Sequence, residues 1–212
     1  MTFAAIIPDH GGREELIDFQ LKRMRNQTLV PDEIYHVNFP WKGEIDLIAR
    51  LKVGCEAAKA DRMDWVFIIE DDFYSRDYFG KFLPVMPKAD FIGCDKTIYY
   101  HLVNRTWQTF DHPRRSSLFC TAFKLSALNN WNWDDLRPNL AMVDLKLWEY
   151  ARHRQRAFIS PGAVGLKHSI GHCAGKGHQM TFKNKDPELK ALKSMLDQEA
   201  FDFYTSLEKV KA

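Results

Sequence analysis

The chain has 212 residues, of which 45% are hydrophobic and 27% charged, and its formal net charge is +2. A chain of this length buries a full core without disulfide staples and reads as one domain, while so small a net charge neither demands nor forbids a nucleic-acid partner. No run reaches the roughly 18 apolar residues of a membrane span, the apolar part of the opening MTFAAIIPDHGG is too short for a signal peptide, and there is no internal repeat or low-complexity tract.

Residues 3–7 form a short apolar strand stopped by Pro8, and Asp9-His10-Gly11-Gly12 is a polar turn at its carboxyl end. Residues 13–26 have helical spacing through Leu16, Phe19, Leu21 and Met24, with acids in the first turn and bases in the last, as the helix dipole favours. Residues 33–38 are a second strand, a loop with Pro40, Trp41 and Gly43 follows, and residues 46–60 are a second helix. Residues 65–69 are a third strand. The order strand, helix, strand, helix, strand predicts an α/β fold with a parallel sheet and ligand-binding loops at the carboxyl ends of its strands.

Residues 73–83 contain a short helix ending at Pro84. Residues 90–94, 99–103, 117–123 and 157–160 are further strands, with a basic Pro113-Arg114-Arg115 loop among them, and residues 125–130 and 140–151 are helical. Residues 161–180 hold five glycines and three histidines and read as a ligand loop. From Pro187 to about Val210 the chain is an amphipathic helix that packs on the domain through Leu192, Leu196, Phe201 and Tyr204, with a partner or membrane surface as the alternative. Cys55, Cys94, Cys120 and Cys173 sit at no zinc-finger or redox spacing. They read as separate buried thiols in a reducing compartment, which makes the protein cytoplasmic.

The most informative stretch is WVFIIEDD, residues 65–72. An apolar run of that length suits a buried strand, and the acids at its end force the chain to emerge. Carboxylates gathered there suit a hard divalent cation, Mg²⁺ or Mn²⁺, whose remaining positions take phosphate oxygens. The competing reading is a solvated surface turn.

Taken together these pieces resemble the GT-A glycosyltransferases, and most closely the large inverting family 2. The first strand with its Pro-containing polar turn (IIPDHGG), the strand EIYHVN, the Ala49-Arg50-Leu51-Lys52 helix before FIIEDD, the helix MVDLKLW and the late Lys167-His168-Ser169-Ile170-Gly171 follow the family's order over residues 3–172. The departures are Glu70-Asp71-Asp72 in place of a DxD, Leu51 in place of an asparagine, and Val143 where an acid precedes the base. The resemblance implies a nucleotide-diphospho-sugar transferase fold, a Rossmann-like, mostly parallel sheet flanked by helices. Residues 1–186 are then the catalytic domain and 187–212 a C-terminal helix packed on it.

The resemblance also implies roles. Asp72 is the first cation ligand, and Glu70 and Asp71 share the cation's water and the donor ribose. His168 is the second ligand, with His172 and His178 competing. Asp144 is the base that takes the acceptor's proton, with Asp134 and Asp135 as rivals. Asp9 accepts a hydrogen bond from uracil, and Asp46 and Arg50, with Glu44 as a further option, belong to the second nucleotide-contacting segment. Lys167, Lys176 and the late glycines are alternatives for meeting pyrophosphate, and Trp131 and Trp133 for lining a sugar or acceptor pocket. The implied reaction moves a sugar from a nucleotide-sugar, UDP-linked by the family's habit, to a hydroxyl with inversion. The acceptor is a glycan or small molecule, or a hydroxymethylated DNA base approached by Arg105, Arg114, Arg115, Arg152, Arg154 and Arg156. The alternatives are a nucleotidyltransferase, for which PDHGGR is a faint phosphate loop, and a non-catalytic nucleotide-sugar-binding protein. The oligomeric state is open.

Overall fold

The computed structural model describes residues 1–40, 42, 45–137, 142–160, 162–170 and 180–209. β1 (Phe3–Pro8), α1 (Glu14–Arg25), β2 (Glu33–Val37), α2 (Leu47–Ala60) and β3 (Trp65–Ile68) come in the expected order. After them come β4 (Phe73–Tyr74), β5 (Phe91–Gly93), β6 (Lys96–His101), β7 (Thr106–Asp111), β8 (Ala122–Lys124) and α3 (Val143–Tyr150). The chain continues with β9 (Arg156–Phe158), β10 (Ala163–Lys167), β11 (Asn184–Lys185), α4 (Lys190–Met195) and α5 (Gln198–Lys209).

The main sheet has the order β2-β1-β3-β8-β5-β9. β1 runs parallel to β2 and β3, β5 runs parallel to β9, and β8 lies antiparallel between β3 and β5. Side chains alternate across each strand, and the sequence uses both faces. Phe3, Ala5 and Ile7 of β1, with Trp65, Phe67 and Ile69 of the third strand and its extension, pack against Ile17 and Met24 of α1. Ala4, Ile6, Val66 and Ile68 pack against Leu51 and Cys55 of α2 and Leu147 and Trp148 of α3. Helices therefore cover both faces, as the unbroken apolar strands require.

A second sheet, β11-β7-β6-β10-β4, is mostly antiparallel; β10 pairs with β6 in parallel. Its Tyr100, Val164 and Leu166 meet Leu16 and Phe19 of α1 and Leu192, Ala200 and Tyr204 of the C-terminal helices. α1 thus serves both cores. Among the described residues no helix is long and apolar enough to cross a membrane. Cys55, Cys94 and Cys120 are free and buried, and Cys173 lies outside the described residues.

Several segments differ from the sequence-based expectation: β7 is a strand the sequence reading does not contain, residues 125–128 form only a 3-10 turn, and three further differences have a visible physical cause. Residues 117–123 are not one strand, because Leu118–Cys120 forms a 3-10 turn and only Ala122–Lys124 pairs. Hydroxyls compete for the backbone there: Thr121 Oγ1 donates to Ser117 O at 2.8 Å and Ser116 Oγ to Cys120 O at 3.2 Å. The glycine-rich 161–180 begins with a strand, β10, in which Gly165 serves close packing, since a Cβ there would sit 2.5 Å from the Tyr99 ring. The tail is two helices, broken where Asp197 Oδ1 accepts the Ala200 N–H at 3.0 Å, a helix-starting bond.

Candidate active site

The carboxyl ends of β1 and β3 lie side by side, because the two strands pair in parallel with Phe3 opposite Trp65 and Ile6 opposite Ile68. The turn after β1 and the acids after β3 therefore emerge together. Arg13, at the start of α1, joins them. Its Nη1 donates to Asp71 Oδ2 at 2.7 Å, its Nη2 to Pro8 O at 2.7 Å, and its Nε approaches Asp9 Oδ1 at 3.4 Å.

The three acids of the triplet have different surroundings. Asp71 also has His168 Nε2 at 3.1 Å. Burial raises its carboxyl, but Arg13 and His168 outweigh burial and hold it well below the usual range. His168 Nδ1 accepts the Ile170 N–H at 3.0 Å, so a neutral ring carries its proton on Nε2, on the side of Asp71. Asp72 is 1% exposed. Its Oδ1 accepts the Leu166 N–H of β10 at 2.6 Å, and its backbone O accepts from Tyr204 Oη at 3.1 Å and from Gln20 Nε2. Burial, with Asp71 adding and Lys167 opposing, pushes the Asp72 carboxyl up to about 6. Glu70 is half-buried, and burial together with Asp72 pushes it up to about 8 against the pull of Lys167. Burial thus disfavours the ionised forms of Glu70 and Asp72, while Asp71 stays ionised beside Arg13.

On the β2 side, a cavity of about 270 Å³ is lined by Asp9, His36, Asn38, Phe39 and Pro40 among others. Asp9 Oδ1 accepts the Gly11 N–H at 2.9 Å and Oδ2 lies 3.0 Å from His36 Nε2. Burial raises the Asp9 carboxyl, and these contacts with Arg13 outweigh it, keeping the group low and ionised. Asp46 lies beside this cavity and is gripped by His10 Nδ1 at 2.7 Å and by Arg50 Nε and Nη2 at 2.8 and 2.6 Å. Arg50 is fully buried; it donates to Val37 O at 3.1 Å and Phe39 O at 2.7 Å and lies 4.0 Å over the Phe39 ring. Arg50 thus fixes the loop after β2 and reaches the cavity through Phe39.

Asp144 stands in the first turn of α3, where Arg115 Nη1 donates to its Oδ2 at 2.8 Å. Burial raises its carboxyl above the usual range against the pull of Arg115. β3 and β5 both run antiparallel to β8, so the segment entering β8, which carries Arg115, starts at the sheet edge where the acidic triplet emerges. That segment is the link between Asp144 and the triplet; among the described residues no hydrogen bond or ion pair joins the two directly. Asp134 is exposed and paired with Lys52 at 2.8 Å, and Asp135 holds Asn132 at 2.9 Å. Trp131 and Trp133 pack edge to face at 5.4 Å, and Trp133 also lines a groove of about 630 Å³ along α2 with Ile45, Ile48 and Val53. Glu44, His172, Lys176 and His178 lie outside the described residues.

The sequence reading gives His36 no role, Arg13 a place only in the faint phosphate loop PDHGGR, and Arg115 only a part in approaching a DNA acceptor; their pairing with the site acids is new. Arg13 had a signal, a base straight after a Gly-Gly turn at a strand end. His36 had a weaker one, a polar residue near the end of an apolar strand. The partner of Arg115 is 29 residues away, and nothing local marks it.

No family model matches the chain, and no curated protein matches it in sequence. Solved structures do match. Residues 1–349 of S. aureus TarS align with a TM-score of 0.54 and 10% identity over 79% of this chain and 61% of that one. The same TarS segment in complex with UDP-GlcNAc aligns with a TM-score of 0.56 and 10% identity over 99% of this chain and 72% of that one. A longer TarS structure gives 0.52 and 9% over 79% of this chain and 37% of that one. The chain therefore spans 61% of the first of these neighbours. The fold is the expected one: a mixed α/β, GT-A-type arrangement in which a parallel-rich sheet is flanked by helices, matching TarS.

Proposed function

We propose that the chain transfers a sugar from a UDP-linked nucleotide-sugar to a hydroxyl acceptor, with inversion and with the help of Mn²⁺ or Mg²⁺. The observation that carries this reading is the Asp9–Arg13–Asp71 unit, which joins a base-sized cavity to a charge-rich carboxylate cluster at the ends of parallel strands. The likeness in fold to a protein crystallised with UDP-GlcNAc supports it.

In this reading the nucleobase enters the cavity and its N–H donates to Asp9, whose carboxylate is already held by Gly11, Arg13 and His36. Asp46 and the Arg50-braced loop shape the wall toward the ribose. Glu70 and Asp72 fit a hard cation, being oxygen donors that burial first, and neighbouring carboxylates second, push toward protonation, so that a cation would favour their ionised forms. Among the described residues no three acids, histidines or cysteines converge into a closed metal site. One or two carboxylates, with substrate phosphate oxygens in the other positions, is the arrangement Mg²⁺ adopts with nucleotides. A bound cation would supply neutralisation of the departing diphosphate. Asp71, already paired with Arg13 and lying beside His168, is left to the ribose or to a cation-bound water. His168 becomes a ligand through Nε2 only by moving its proton to Nδ1 and giving up the Ile170 contact.

Asp144 takes the proton of the acceptor hydroxyl as that oxygen attacks the anomeric carbon, and the bond from that carbon to the diphosphate oxygen breaks on the opposite face. The nucleotidyltransferase alternative loses its phosphate-binding arginine, because Arg13 is spent on Asp9, Asp71 and Pro8 O. Three buried free thiols agree with a cytoplasmic setting.

Calorimetry with UDP, GDP, CDP and dTDP, each with and without Mn²⁺, tests this function. Mn²⁺-dependent binding of UDP is expected, and silence with all four overturns the reading. Asp144→Asn should keep UDP binding and lose transfer by roughly 10²-fold or more. UDP binding with no turnover on any acceptor favours the non-catalytic alternative.

A further inference from the structure

The fold sorts the arginines that surround Asp144 in sequence. Arg154 is committed internally: its Nε donates to Ala127 O at 2.9 Å and its guanidinium lies 3.8 Å over the Tyr150 ring. Arg105 donates to Pro187 O at 3.0 Å, beside the second sheet. Arg114, Arg115 and Arg156 come together. Arg156 Nη1 donates to Arg114 O at 2.9 Å, and Arg115 Nη1 donates to Asp144 Oδ2 at 2.8 Å. Arg114 is exposed, and Arg115 and Arg156 are half-buried. Among the described residues, neither Arg114 nor Arg156 has a carboxylate within ion-pair distance. The neighbouring acids are engaged with other bases: Asp111 lies 3.7 Å from Lys96, and Glu149 lies 3.0 Å from Lys146. Arg115 therefore holds the candidate base, while its chain neighbour Arg114 and the Arg156 guanidinium, which rests on the Arg114 backbone, add two further cations beside it that meet no carboxylate among the described residues.

We propose that Arg114, Arg115 and Arg156 bind a phosphate ester carried by the acceptor, and that Arg115 passes from Asp144 to that phosphate as the acceptor seats. The inference rests on the transferase reading above and names the acceptor's chemistry. A guanidinium fork matches two phosphate oxygens as well as it matches a carboxylate, so a phosphate competes for Arg115 directly, and a neutral glycan does not. The exchange has a consequence for the reaction. Before the acceptor arrives, Asp144 is held by Arg115 and is a poor base toward stray water. After the exchange it is a buried carboxylate without its counter-charge, and so a stronger proton acceptor.

The test uses the full chain and fluorescence polarisation of a fluorescein-labelled, single-stranded 12-nucleotide oligothymidylate, with tripolyphosphate and maltoheptaose as competitors. The wild-type chain should bind the probe, tripolyphosphate should displace it, and maltoheptaose should not. Arg114→Ala/Arg156→Ala should weaken binding at least tenfold and reduce the slope of log affinity against log salt by about 1.4, two contacts at roughly 0.7 each. Arg114→Lys/Arg156→Lys should keep most of that slope. Asp144→Asn, which frees Arg115, should tighten probe binding several-fold. Displacement by tripolyphosphate as efficient per phosphate as by unlabelled oligonucleotide assigns a small phosphate ester, and much weaker displacement assigns a phosphodiester chain; both support the inference. Absence of binding to both anions, or an affinity unchanged by Arg114→Ala/Arg156→Ala, overturns it. Unchanged or weaker binding in Asp144→Asn overturns the exchange. UDP calorimetry on the same preparations keeps this outcome separate from failure of the nucleotide-sugar reading, which would appear as loss of UDP binding in the wild-type chain.

Discussion

Asp72 serves the fold and the candidate chemistry with different atoms. Its Oδ1 accepts the Leu166 N–H and its backbone O accepts from Tyr204, and neither contact needs a negative charge. The charge itself is opposed by burial. Asp72→Asn keeps an oxygen for Leu166, so its thermal midpoint should equal or exceed that of the parent, while Mn²⁺-dependent UDP binding falls at least tenfold. Asp72→Ala leaves the buried Leu166 N–H unpaired and should cost about 1–3 kcal/mol. Calorimetry and thermal unfolding on both variants check the split, and a strongly destabilised Asp72→Asn would refute it. Asp144 yields a prediction in pH. Burial raises its carboxyl above the ordinary range and Arg115 lowers it again. A base must be ionised to accept a proton, so kcat/KM should fall as pH falls through that raised pKa. Arg115→Ala removes the lowering influence and should move the acid limb to higher pH. A pH–rate profile that is the same in both chains would remove Asp144 from the base role.

α2 lies so close to β1 that only a glycine fits between them at position 54. A Cβ there would stand 2.6 Å from Ile6 Cγ2 and 2.9 Å from Ile6 Cδ1. Gly54→Ala gains up to about 1 kcal/mol of helix propensity, but overpacking a fixed strand costs typically 1–3 kcal/mol. The variant should therefore be less stable than the parent in denaturant unfolding, in spite of the better helix former. Elements of this kind were legible in the sequence, because local period and polar ends determine them. β1, α1, β2, α2 and β3 follow from apolar alternation, acids early and bases late in α1, and prolines between elements. The position of the acidic triplet at a strand end was legible for the same reason. The second sheet was not, since β10 pairs with β6 more than sixty residues away and its Gly165 imitates a loop signal while making room for Tyr99. The partners of the site acids were equally hidden. Arg13 reaches Asp71 across 58 residues and Arg115 reaches Asp144 across 29, and no local pattern records such pairings.

At the scale of the molecule, the acidic triplet is where the two sheets and the C-terminal helices are joined. The Asp72 side chain ties the end of the main sheet to β10, and its backbone O accepts from Gln20 of α1 and from Tyr204 of α5, 132 residues along the chain. Gln20 Nε2 also lies 2.9 Å from Tyr204 Oη. Phe19 stacks on Phe203 at 3.9 Å, and Arg23 pairs with Asp197, so α5 is held along the whole length of α1. Tyr204→Phe removes a hydroxyl that is fully buried, while Gln20 keeps its bond to Asp72 O. The expected loss is about 1–2 kcal/mol, or a fall in thermal midpoint of roughly 2–8 °C for a chain of this size. Nucleotide binding acts on the same equilibrium from the other side: UDP with Mn²⁺ at about 100 times its Kd adds about 2.7 kcal/mol. Saturating ligand should therefore return Tyr204→Phe at least to the midpoint of the unliganded parent. A shift caused by UDP and Mn²⁺ that is present in the parent and absent in Tyr204→Phe would mean that α5 shapes the nucleotide site itself. An equal shift in both means that the helix stabilises the fold around a site the first three strands already define, and because Tyr204 touches Asp72 only at its backbone O and does not line the candidate cavity among Asp9, His36 and Phe39, the equal shift is the expected result.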